Sequence, residues 1–175
     1  MDSTTTIAGI TIPSTAPWFL AVVGGHIVVG LACVLSGAAA MLRPKRRGGH
    51  STFGTIYFWC LFVVFMSATA LSIARWSGDD VLFFLGALAF AAAVVGRRSA
   101  RRGGPGWASI HVGGMGLSYI VLLTAFYVDN GKSLPVWKDF SPIVYWLAPS
   151  VVGLPLMIWA LLRHPVVAMS RLSKR

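Results

Sequence analysis

Long apolar runs alternate with short polar connectors along this chain, and the pattern repeats five times. The runs are Trp18–Leu42, Thr52–Ala74, Val81–Gly96, Trp107–Val128 and Ser141–Leu162. A helix needs about 20 mostly apolar residues to cross the hydrocarbon core of a bilayer. The third run is short and is expected to borrow a turn from its flanks. Each run is read as an α-helix, because an open sheet edge in lipid would leave backbone N–H and C=O groups without partners. The expected fold class is all-α: an integral membrane bundle of five transmembrane helices. The domain reading is an extracytoplasmic tail at 1–17, a single transmembrane helical domain at 18–164 and a basic tail at 165–175.

The connectors alternate in charge. Lys and Arg number four in RPKRRGGH, one in ARWSGDD, four in GRRSARRGGPG, two in DNGKSLPVWKDF and four in RHPVVAMSRLSKR. Cytoplasmic loops are enriched in Lys and Arg. The first and third connectors and the C-terminus are therefore expected in the cytoplasm, with the N-terminus outside. Asp2, Asp79, Asp80, Asp129 and Asp139 all fall on the outer side of this topology. Residues 1–17 hold no Lys or Arg, so the charged segment that opens a cleavable signal is not expected. Trp18, Trp76, Trp137, Tyr145 and Trp146 near outer ends, with Phe53 and Trp107 near inner ends, read as interfacial belts.

Composition agrees with a lipid-solvated surface. The chain is 175 residues long, 56% hydrophobic and 11% charged, against about a quarter charged in soluble domains. The net charge of +10 is confined to loops and a tail. It reads as a topology signal and as a contact for anionic lipid at the cytoplasmic face, with no nucleic acid partner expected. Cys33 and Cys60 both fall inside spans, so no disulfide framework is expected. Gly30 and Gly37 share a stripe of the first helix, and Gly113, Gly114 and Gly116 thin the fourth, which predicts close helix approach. Pro149 and Pro155 predict a kinked or loosened fifth helix.

No Asp, Glu, Lys or Arg lies deep in any span. That argues against a carrier or pump built on buried carboxylates. No Ser/His/Asp set, zinc-protease helix motif or phosphate loop is present, and GGPG follows no strand. The candidate chemistry rests on histidine. His26 lies in the outer half of the first helix and His111 in the inner half of the fourth. His50 stands at the inner start of the second helix, before Ser51 and Thr52, which could cap it. His164, beside Pro165, reads as interfacial. Neutral imidazoles inside a bundle are common haem and metal ligands. Counted from the expected helix starts, His50 and His111 are offset by about six residues, roughly 9 Å. His26 and His111 are offset by about ten residues, roughly 15 Å. His111 and Met115 share a helix face and could offer copper one nitrogen and one thioether. For each histidine the competing reading is an interhelical hydrogen bond. For Cys33 and Cys60 packing competes with a soft-metal pair.

The stretches HIVVGLACVLSGAAAMLRPKRRGGHSTFGTIYFW, WASIHVGGMGLSYIVLLTAFYVDN and WLAPSVVGLPLMIW resemble a family of bacterial membrane proteins catalogued as domain of unknown function 2306. The resemblance runs from about His26 to Trp159. Carried over position by position, it places the family's histidines on His26, His50 and His111, with Met115, Tyr119 and Thr124 beside the last. One departure is Gly114, where the family has a basic residue before the Met. The resemblance implies a fold but no activity. These observations lead to a multi-pass protein of a bacterial cytoplasmic (inner) membrane, holding haem b or a transition metal through His50 and His111, assisted by His26 or Met115, in a redox role. The alternative is a cofactor-free accessory protein, acting on a membrane protein partner or as a homo-oligomer, or a small-solute transporter.

Overall fold

The computed structural model describes residues 5–7, 10–12, 16–44, 48–74 and 80–163. The fold is all-α, with helices α1 (Pro17–Leu42), α2 (Gly49–Ala74), α3 (Asp80–Arg102), α4 (Trp107–Asn130) and α5 (Pro142–Arg163). All five are long and apolar enough to cross a membrane, and they make the chain a multi-pass membrane protein. A small antiparallel ribbon precedes them, β1 (Thr5–Ile7) on β2 (Ile10–Ile12), with Thr6 opposite Thr11. Its Thr and Ile residues are strand formers. His164, Trp76, Asp2, Asp79 and the tail at 165–175 lie outside the described residues.

Two helix boundaries differ from the sequence reading. α2 begins at Gly49, not Thr52, so Ser51 and Thr52 lie inside the helix and do not cap it. Gly48 has a φ of 116°, which turns the chain into the helix early, and its carbonyl accepts from the Thr52 N–H at 3.0 Å. α3 continues past Gly96 through four arginines to Arg102. Arginine is a good helix former, and cations suit the last turn of a helix. Gly103, at φ 68°, stops the helix, its N–H reaching the Ser99 carbonyl at 3.0 Å.

The chain divides into two compact units, Met1–Phe83 and Phe84–Arg175. In the first, α1 and α2 form an antiparallel hairpin. Its core includes Cys33, Tyr57 and Leu61, each at most 2% exposed. The Cys33 thiol points at the Tyr57 carbonyl, 3.6 Å away. Gly30 does not bring backbones together as expected: among the described residues no atom lies within 4 Å of where its Cβ would be.

In the second unit α4 packs between the C-terminal part of α3 on one side and α5 on the other. Gly114 and Gly116 are two residues apart and so face different neighbours. A Cβ on Gly114 would lie 2.8 Å from the Ala92 carbonyl oxygen and from the Gly96 Cα. A Cβ on Gly116 would lie 2.8 Å from the Met157 sulfur on α5. One turn along, the relationship reverses, and Gly153 of α5 receives the Ile120 side chain of α4. Large side chains thus enter glycine gaps from both directions. α5 stays helical through Pro149 and Pro155. Tyr145 is not a belt residue. It is 3% exposed, and its hydroxyl donates to the Trp137 carbonyl at 2.8 Å, with the Phe140 carbonyl at 3.2 Å as second acceptor. A buried phenol needs such an acceptor, and the connector after α4 supplies it.

Candidate functional site

The histidines are best understood from the backbone groups they meet. The last turn of α1 leaves carbonyls without helical donors. Arg43 N–H serves the Ala39 carbonyl at 3.2 Å. The next carbonyl, that of Ala40, would be served by residue 44, but Pro44 has no N–H. Ala40 is 8% exposed, where a hydrogen-bond donor to the carbonyl is valuable. His50 supplies one: its Nδ1 lies 2.8 Å from the Ala40 oxygen. A carbonyl only accepts, so Nδ1 carries the proton. In the neutral ring the lone pair then lies on Nε2.

His26 lies deeper on α1. Its Nδ1 is 2.7 Å from the Ser67 Oγ of α2. That hydroxyl is also 2.8 Å from the Val63 carbonyl and 3.0 Å from the Val64 carbonyl.

In the second unit, His111 Nδ1 lies 3.1 Å from the Gly96 carbonyl of α3. Again the carbonyl must accept, so the lone pair falls on Nε2. Met115, one turn on, packs against the same glycine. A Cβ on Gly96 would lie 3.1 Å from the Met115 Cγ and 2.9 Å from its backbone nitrogen. The predicted shared face of His111 and Met115 therefore exists and is turned to α3. Ser99 Oγ donates to the Trp107 carbonyl at 2.9 Å and closes the same end of the hairpin.

Gly114 also belongs to this crossing. The basic residue that the resemblance places there has no room, because the α3 backbone fills the space. Gly96 is the residue that sequence reasoning missed, having been read only as the end of a span. Its signal was the small-residue run before it, in which Ala89, Ala92 and Ala93 are all buried. Pro44 was missed as well, although its effect on Ala40 follows from helix numbering alone.

His50 and His26 belong to the first unit, and His111 and Met115 to the second. Within their helices, His50 is the second residue of α2 and His111 the fifth of α4. All four side chains are half-buried. No group of three or more His, Cys, Asp or Glu that could hold a metal ion occurs among the described residues. A haem needs only two axial ligands from protein. Metal-ligating histidines typically donate their other N–H to a carbonyl or carboxylate, and the bonds of His50 and His111 have that form. Cys33 and Cys60 are free cysteines, the first buried and the second half-buried. No family model, no curated protein and no solved structure matches this chain.

Proposed function

We propose that this multi-pass protein resides in a bacterial cytoplasmic membrane, N-terminus outside, and binds haem b or a transition metal in a redox role, with His50 and His111 as candidate ligands and His26 or Met115 assisting. The observation that carries this reading is the tautomer. Both rings give Nδ1–H to a backbone carbonyl, at 2.8 and 3.1 Å, which directs the lone pair of each neutral ring to Nε2. The topology rests on the positive-inside distribution of charge. The resemblance to domain of unknown function 2306 supports the choice of histidines.

A second reading has its own observation. The same bonds close helix hairpins, and His50 meets a carbonyl that Pro44 leaves without a helical donor. A cofactor-free accessory protein or small-solute transporter would need the histidines for nothing more. His111→Ala separates the two readings. The first predicts that the purified variant loses its cofactor while still inserting and remaining helical. A variant that keeps a full complement of cofactor removes His111 from the ligand set.

A further inference from the structure

α3 has one face exposed along its length. Phe84, Leu88, Ala91 and Val95 lie on it, followed by Arg98 and Arg102. Their spacing of three and four residues is that of a single helical row. Phe84, Leu88 and Val95 are 65%, 49% and 54% exposed. From Phe84 to Val95 the row rises roughly 16 Å, about the depth of one leaflet's hydrocarbon. An apolar stripe of that length, ending in two cations one turn apart, has the form of a phospholipid footprint.

Charge makes the same point. Arg97, Arg98, Arg101 and Arg102 crowd the end of α3, and like charges one turn apart repel. The negative pole of the helix offsets only about half a charge. Asp129 closes α4 some 22 residues from Trp107, roughly 33 Å along the axis. Arg98 and Arg102, both exposed, are suited to bind an anion from outside the chain. Arginine pairs match phosphate oxygens well.

We propose that α3 holds one anionic glycerophospholipid, its phosphate gripped by Arg98 and Arg102 and an acyl chain laid along Val95, Ala91, Leu88 and Phe84. The site is independent of the histidine reading. It is tested by native mass spectrometry of the full chain in mild detergent, where topology has no influence. The protein is titrated with phosphatidylglycerol, with phosphatidylcholine of the same chains, and with phosphatidylglycerol in the presence of inorganic phosphate. One phosphatidylglycerol is expected to bind in preference to phosphatidylcholine and to survive millimolar phosphate. R98Q/R102Q is expected to weaken it roughly thirty-fold, from about 1 kcal/mol per cation, with helical content unchanged. K132Q/K138Q, at the other end of α4, is expected to bind as wild type. Equal binding by R98Q/R102Q overturns the proposal, as does an equal loss in K132Q/K138Q. Displacement by inorganic phosphate alone would make this a phosphate site and overturn the lipid assignment.

Discussion

His50 donates its Nδ1–H to the Ala40 carbonyl at 2.8 Å, taking the place that Pro44, lacking an N–H, cannot fill. One ring therefore ties the end of α1 to the start of α2 and sets its own tautomer. Removing it takes one donor from a buried carbonyl, a loss of about 0.5–1.5 kcal/mol. Unfolding of His50→Ala in detergent checks this. In a Pro44→Ala background, which restores an N–H, the same replacement should cost less. An equal cost in both backgrounds would show that the ring does not substitute for the missing donor.

The crossing of α3 and α4 gives a sharper contrast. Gly114 has backbone 2.8 Å from where a Cβ would sit, whereas its neighbour Gly113 has nothing within 4 Å among the described residues. Gly114→Ala should destabilise by about 1–3 kcal/mol through overpacking. Gly113→Ala should change stability by no more than about 0.5 kcal/mol. Thermal unfolding of the two variants in one detergent decides it. Gly114→Lys should be the least stable of the three.

Much of the fold was legible because lipid permits so few solutions. Five apolar runs had to be helices, and their number and order were correct. Boundaries were less legible, since they depend on capping. Gly48 starts α2 early, and arginines carry α3 onward where a hydropathy boundary stops at Gly96. The histidines were visible as candidates, but their partners were not. Gly96, Ala40 and Ser67 act through backbone or a short hydroxyl, and none of them stands out from sequence. Tyr145 was misread for a similar reason: a tyrosine near a helix end looks the same whether its hydroxyl meets headgroups or a folded connector.

That connector supplies a third prediction. Tyr145 sits over Gly131, whose Cβ would fall 2.7 Å from the ring, and Trp137 packs against Tyr127 with centroids 4.6 Å apart and the rings tilted at 46°. Tyr145→Phe keeps the packing and removes only the hydroxyl. It should cost about 1 kcal/mol and raise hydrogen exchange across residues 131–141. Unchanged exchange there would mean that the hydroxyl does not hold the connector.

The central claim is that His50 and His111 present Nε2 to a redox cofactor. Its most direct test is an absorption spectrum of the protein purified in mild detergent from cells supplied with haem and metals. The spectrum is taken oxidised and then dithionite-reduced, with metal analysis on the same sample. The account predicts a Soret band that shifts on reduction, at about one haem per chain, as histidine ligation of haem b would give. A colourless protein free of haem and metal would contradict it and leave the histidines as the pins of two helix hairpins.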